Sequence, residues 1–278
     1  MAALSQLAEL EDLEIQLLLE GVHRYYGFDF RGYAIAAIKQ RICALLQADQ
    51  LSSISRLQEK ILHEPAYLER FLLNLSTHPP GLFRDTTFYQ TVRTQVVPLL
   101  RTYPSIRIWL AGCSTGEDVY SMAILLWEEG LYHRCRIYAT DFNDALVQKA
   151  KAGIFPLSQM QHDATLYQQA GGKRQFSDYY AVSHDSAIIH ADLKEHLVFA
   201  AHNLVTDASF NEFNVILCHN VLVYFNAHLQ TRVHRLFHDS LARFGILGLG
   251  QRETLQFSPY QQCYEPMKTP AHLYRRVT

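Results

Sequence analysis

One stretch constrains the fold of this 278-residue chain more than any other: residues 106–126, "IRIWLAGCSTGEDVYSMAILL". It passes from a β-branched, apolar run through a turn of small residues into a second apolar run with helical spacing. Strand, glycine turn and helix in that order form the opening unit of an α/β sheet. In such sheets ligands bind beyond the carboxyl ends of the strands, and the first strand-to-helix turn must let them approach the backbone closely. Gly112 and Gly116 supply that room.

The rest of the chain sorts itself around this unit. Residues 10–71 read as helical, beginning with Leu10, Leu13 and Leu17 and with a stop at Gly27. A further helix there puts Ile35, Ile38, Ile42, Leu45 and Leu46 on one stripe, with Lys39 and Arg41 flanking it on opposite sides. Pro79, Pro80 and Gly81 break the pattern and set a boundary at about Pro80, with a small all-helical domain over 1–80 and a second domain over 81–278. Beyond it, strands at "RIWLAG", "RIYATDF", "HLVFAAHN", "FNVILCHN" and "GILGLGQ" alternate with helices over 118–129, 145–151 and 229–243. That alternation predicts an α/β fold with a mostly parallel sheet covered by helices on both faces. A Gly-Gly pair and short alternating runs predict a small antiparallel β insert within 154–196.

The turn selects its ligand by exclusion. "AGCSTGED" lacks the Lys-Ser/Thr ending of a phosphate-binding P-loop, and it is not the G-x-G-x-x-G of a dinucleotide site. Glu117 and Asp118 sit where a helix N-terminus otherwise welcomes phosphate. An acidic rim suits a cation, such as an ammonium group. The next strand ends in Asp141, placed to accept hydrogen bonds from ribose hydroxyls. Each feature alone also fits a plain tight turn or a helix cap. Their order in this fold points to S-adenosylmethionine (SAM), which carries an adenosine and an amino-acid end but no phosphate.

Composition narrows the partners. Lys plus Arg number 25 against 27 Asp plus Glu, so there is no general attraction to nucleic acid or to an anionic membrane. The five cysteines are dispersed with no C-x-x-C pair, which suits reduced thiols better than disulfides or zinc. Fourteen histidines are present, but His190, His196 and His202 match no zinc spacing, and no metal is expected. The acidic start "MAALSQLAELEDLEIQ" lacks the order of a signal peptide, and no apolar run approaches the roughly 20 residues that span a bilayer. The expectation is a cytoplasmic monomer without membrane insertion.

The segments "LFRDTTFY", "RIWLAGCSTGEDVYSMAILL", "IYATDFNDALVQKAKAGIF", "VFAAHNL" and "FNVILCHNVLVYFNAHLQ" together resemble the CheR-type chemotaxis receptor methyltransferases, over nearly the whole chain. The resemblance implies a Rossmann-like, SAM-dependent methyltransferase domain behind a helical N-terminal domain. It implies transfer of the SAM methyl to glutamate side chains of chemoreceptors or related signalling proteins, with S-adenosylhomocysteine as product. By the same resemblance Glu117 would hold the amino-acid end of SAM and Asp141 its ribose. Asn203 and Leu204 would lie by the adenine, with Asn220 among the cofactor residues. Arg84 and Tyr224 would face the methyl group and the incoming carboxylate, and Lys39 and Arg41 would contact the acidic substrate helices. The β insert corresponds to the subdomain with which some members grip a receptor peptide.

The chain departs from the family pattern at His78 and Pro80, where Asn-x-Thr is usual, and at His219, where arginine is usual. Val119 replaces a proline, and "LARFGILGLG" lacks a Pro-Gly-Gly turn. These departures bear on catalytic efficiency more than on the fold. They leave an alternative, a weakly active or inactive SAM-binding relative that serves as an adaptor in a signalling complex.

Overall fold

The computed structural model describes residues 2–76 and 81–278, the side chains of 2–8 and of Ser76 excepted. The boundary at Pro80 and the departures at His78 and Pro80 lie outside the described residues. Two compact units emerge. Residues 1–77 join Leu222–Gln230 in the first, and His78–Val221 join Thr231–Thr278 in the second.

The first unit contains α1 (Ala2–Tyr26), α2 (Ile35–Ala48), α3 (Ile54–His63) and α4 (Pro65–Ser76). Gly27 ends α1 as its sequence position predicts: at φ +82° its amide turns back to the His23 carbonyl at 2.9 Å. Ser53 caps α3 by accepting from the Arg56 amide at 3.2 Å. Ile15, Leu18, Leu19 and Val22 of α1 pack in a core with Ile38, Ile42, Leu57, Ile61 and Phe71, all almost fully buried. Each contributes about 1.5–3 kcal/mol by burial. Leu10, Leu13 and Leu17 do mark a helix, but their stripe is about half exposed, and the core face is the neighbouring one. The segment Leu222–Gln230 attaches through a bridge of Tyr33 to Phe225, whose rings meet edge-on at 4.9 Å.

The second unit begins with α5 (Thr86–Thr91), a π-helical turn Val92–Val96 and α6 (Val97–Leu100). There follow β1 (Ile106–Ala111), α7 (Glu117–Glu128), β2 (Cys135–Asp141) and α8 (Asp144–Ala152), then β3 (Ile154–Pro156) and α9 (Leu157–Gln169). The chain continues through β4 (Tyr180–Ser183), β5 (Ser186–Ile189), β6 (Leu197–Ala201), β7 (Phe213–Cys218), α10 (Ala227–Ser240), β8 (Leu241–Leu249), β9 (Tyr264–Pro266) and β10 (Leu273–Arg276). The main sheet has the order β6-β2-β1-β7-β8-β10-β9. Its first five strands pair in parallel, while β10 is antiparallel to β8 and to β9. The chain runs outward from β1 to β2 and β6, then returns to the other side of β1 as β7. The switch point of the topology is therefore between β1 and β7. The insert forms its own antiparallel sheet, β3-β5-β4.

The boundary between α10 and β8 differs from the sequence reading, which carried the helix to 243. The strand starts at Leu241 because its register against β7 shifts between Phe213 and Val215, with Phe244 at φ +65° inside the irregularity. An apolar helical period cannot anticipate that bulge. Among the described residues no helix is long and apolar enough to cross a membrane, and no three His, Cys, Asp or Glu side chains are grouped to hold a metal.

Candidate active site

The turn after β1 is built from left-handed backbone. Gly112, Ser114 and Gly116 have φ values of +77°, +49° and +97°. The amides of Gly112 and Cys113 both donate to the Thr140 carbonyl at 2.8 Å, which folds the turn back onto the end of β2. A Cβ on Gly112 would lie 2.4 Å from Val221 Cγ2, and one on Gly116 would lie 3.0 Å from Ala150 Cβ in α8. The room the glycines provide is thus taken by the loop after β7 and by α8. They bring chain against chain.

Asp141 fixes that turn. Only 4% exposed, it accepts the Ser114 amide on one oxygen and the Asn143 amide on the other, each at 3.0 Å. Burial pushes its carboxyl up to about 6, against the pull of those amide bonds. The Phe142 amide adds a third bond, and a carboxylate with about four acceptor sites keeps room for one more donor. Glu117 opens α7, and both of its oxygens accept the Thr115 hydroxyl, at 2.8 and 2.7 Å. Burial pushes its carboxyl up as well.

Asp118 is differently placed. It accepts from Arg84 Nη2 at 2.8 Å and from the Tyr89 hydroxyl at 2.8 Å, and His219 Nδ1 stands 3.6 Å away. Burial opposes its charge, but the Arg84 guanidinium, the neighbouring His219 imidazole and the Tyr89 hydrogen bond hold it well below the usual carboxylate range. Arg84, the sequence candidate for aligning a carboxylate, is therefore bound to one already. His219 is wedged edge-on against Phe88 at 4.4 Å.

Across the switch point, Asn220 takes φ +59°, and its amide donates to Glu253 Oε2 at 3.0 Å. The same oxygen accepts the Gly250 amide at 2.7 Å, so the buried Glu253 ties the ends of β7 and β8 together. Asn203 accepts the Val205 amide at 2.9 Å in a tight turn that buries Leu204. Sequence reading missed Tyr89 and Glu253. The only signal for Glu253 was an acid in the loop after the last parallel strand, and for Tyr89 its place at the end of the segment "LFRDTTFY".

In the first unit, Tyr224 accepts a hydrogen bond from Arg41, and its own carbonyl accepts the Ala34 amide at 2.7 Å. Lys39 pairs with Glu11 at 2.9 Å and Asp12 at 3.0 Å. Both basic candidates of α2 are thus engaged within their own unit.

The turn fits the ligand class read from the sequence. Ser114 Oγ, Asn143 Nδ2 and His219 Nε2 are buried with no hydrogen-bond partner in the protein, so polar atoms on the turn and on the residues after β2 and β7 can serve a polar ligand. Glu117 disfavours phosphate at the start of α7, whereas the charge of Asp118 is met by Arg84. Comparison with known proteins agrees. Residues 80–271 match the family described as CheR methyltransferase, SAM binding domain, and residues 13–76 match the CheR methyltransferase all-alpha domain. A Pseudomonas putida protein named "Putative methyltransferase Cher3" is 45% identical over 265 residues, covering 95% of this chain and 97% of its own. The chemotaxis protein methyltransferase of Listeria innocua is 27% identical over 236 residues, covering 84% and 87%. Chemotaxis protein methyltransferase 1 of Pseudomonas aeruginosa is 26% identical over 254 residues, covering 86% and 88%. With helical and SAM-binding regions matched in order over most of its length, the chain belongs to the CheR methyltransferase family, and SAM is its cofactor.

Proposed function

We propose that this methyltransferase forms methyl esters on glutamate side chains of a chemoreceptor-like signalling protein. The observation that carries the reading is the two-part match, helical and SAM-binding, shared with relatives named chemotaxis protein methyltransferases. When bound, SAM supplies an electrophilic methyl group on a sulfonium.

A glutamate of pKa about 4.3 is ionised at neutral pH, so its carboxylate attacks without a general base. Positioning and desolvation then carry most of the rate. Glu117, with its unneutralised carboxylate, is suited to the ammonium of the amino-acid end. The remaining acceptor site of Asp141 is suited to a ribose hydroxyl, with Asn203, Leu204 and Asn220 toward the adenosine and the backbone at Gly112 and Gly116 beneath. Arg84 is the group for the incoming carboxylate, because its planar fork accepts a second anion in the place of Asp118. Tyr224 supplies a hydroxyl to the reacting groups. Lys39 is about one-third exposed and can exchange Glu11 or Asp12 for an acidic substrate helix.

Transfer of labelled methyl from SAM to a purified chemoreceptor cytoplasmic fragment tests the reading. The expected label is released by mild alkali, as an ester requires. Label stable to alkali, or SAM binding with no protein labelled, overturns it.

A further inference from the structure

Arg41 stands among the residues expected to touch substrate, yet its guanidinium is spent on the protein itself. One residue before the fully buried Ile42 of α2, it donates through Nη2 to the Tyr224 hydroxyl and through Nη1 to the Asn74 carbonyl in the last turn of α4. The guanidinium carbon lies 4.6 Å from the centre of the Tyr224 ring, so the same group also covers the ring face. The backbone repeats the attachment. The Tyr224 carbonyl accepts the Ala34 amide at the start of α2, and the Asn226 amide donates to the Gly32 carbonyl at 2.9 Å. Gln230 closes the turn from within, donating to the Leu222 and Phe225 carbonyls at 3.0 Å each.

We infer that Arg41 is a positioning residue for methyl transfer, holding the Tyr224 hydroxyl from α2 instead of binding substrate. Arginine has five donors and no acceptor, so in this bond the Tyr224 oxygen must accept, and the direction in which its own hydrogen can donate is restricted. Anchoring to Asn74 limits the rotation of the guanidinium. A carbonyl in the last turn of a helix has no intrahelical partner, and Arg41 satisfies it. A lysine has the charge but not the planar fork that reaches carbonyl, hydroxyl and ring face together. This inference rests on the reading of Tyr224 as a residue of the reaction.

The test uses the full-length protein with Arg41→Ala, Arg41→Lys, Tyr224→Phe and the double variant Arg41→Ala/Tyr224→Phe. Turnover, the KM for the methyl acceptor, and the melting temperature are measured for each. Arg41→Ala is expected to lower kcat about 10- to 100-fold with KM nearly unchanged, and Arg41→Lys to restore little of it. The double variant is expected to be no slower than Tyr224→Phe alone, because the two residues act as one unit. In fluorotyrosine-labelled protein, the fluorine resonance lost in Tyr224→Phe is expected to move in Arg41→Ala. Additive losses, or a rise in KM without loss of kcat, would make Arg41 a substrate contact and overturn the inference. A fluorine resonance that does not move overturns it as well. If Tyr224→Phe keeps full turnover, the reading of Tyr224 has failed; additive losses with an impaired Tyr224→Phe sink the role of Arg41 alone.

Discussion

Helix α7 carries two acids at each end, and Glu117 at the amino end lives under electrostatics opposite to those of the pair at the carboxyl end. Glu128 and Glu129 lie at the carboxyl end, where the helix dipole opposes negative charge. They are saturated with donors. Glu128 accepts from Arg93, from the Tyr167 hydroxyl, from the Tyr179 hydroxyl at 2.9 Å and from the Lys173 amide at 2.8 Å. Glu129 takes Arg93 at 3.0 Å, Arg101 at 3.0 Å and Lys173 at 2.7 Å. Although burial opposes it, the Tyr167 and Lys173 hydrogen bonds and the Arg93 charge hold Glu128 below the ordinary range, and Lys173 and Arg93 do the same for Glu129. Glu117 and Asp118 lie at the amino end, where the dipole favours them. There Glu117 has a hydroxyl donor in Thr115, and burial pushes its carboxyl up. The carboxyl end is closed and ties α9 and the turn before β4 to the sheet. At the amino end Asp118 is paired with Arg84, while among the described residues Glu117 has no ion-pair partner, as a site for a cationic ligand requires.

The largest effect separating the two ends should come from Arg93→Ala. It takes the guanidinium from the fully buried Glu128, while Glu129 keeps Arg101 and Lys173, and removing one partner of a buried pair costs about 3–5 kcal/mol. Urea unfolding should show that loss in stability, with SAM affinity of the folded protein little changed. A loss under about 1 kcal/mol would mean that the closed end is not structural.

At the open end the sign should reverse. Glu117→Gln removes a carboxylate that the folded state disfavours, so stability should hold or rise. SAM binding should weaken by about 1.5–3 kcal/mol, the scale of a hydrogen bond to a charged group. Calorimetry and thermal melting on the same sample decide this. Destabilisation with unchanged affinity would make both ends of α7 alike and break the comparison.

Protonation offers a finer test. The folded carboxyl of Asp141 is near 6, above its unfolded value, so the stability it contributes is present below about 4 and lost as pH rises through about 6. Ligand hydroxyls prefer the ionised form, so SAM affinity should increase over the same interval. Asp141→Asn should flatten that rise. His234 runs the other way: buried, with its imidazole lowered to about 4, it costs stability as pH falls from about 6.5 to 4. His234→Phe should remove that acid loss while leaving the pH profile of SAM binding intact.

The smallest expected effect is at His219. An arginine there gives Asp118 a second guanidinium and loosens its hold on Arg84. Turnover should rise about threefold, worth on the order of 0.7 kcal/mol, as the released Arg84 meets substrate. Single-turnover rates measure it directly, and a fall would show that the imidazole is needed for packing against Phe88.

Much of this was legible along the chain because its causes are local. The apolar run at β1, the small residues after it and the helical period of α7 lie within one window, and backbone sterics alone require glycine where φ is strongly positive. The stop at Gly27 and the acid ending β2 follow the same logic. The roles of Arg84, Lys39 and Arg41 were legible only in part. Residue type told which charge they carry, and the choice of partner depended on residues distant in sequence.

The sequence by itself determined the order β1, α7, β2, α8, β6, β7, α10, β8, the glycine turn with its acidic rim, and the family to which they belong; α9 within the insert and the antiparallel β9 and β10 were not legible in it. Tertiary structure decided which atoms those residues spend on one another. Val221 fills the space over Gly112, Asp118 holds Arg84, Glu253 ties β7 to β8, and Leu222–Gln230 leaves the sheet unit for the helical one. Periodicity and propensity act over a few residues and report backbone state. Hydrogen bonds, ion pairs and close packing act over a few ångströms whatever the separation along the chain, so they become specific only once the chain has folded.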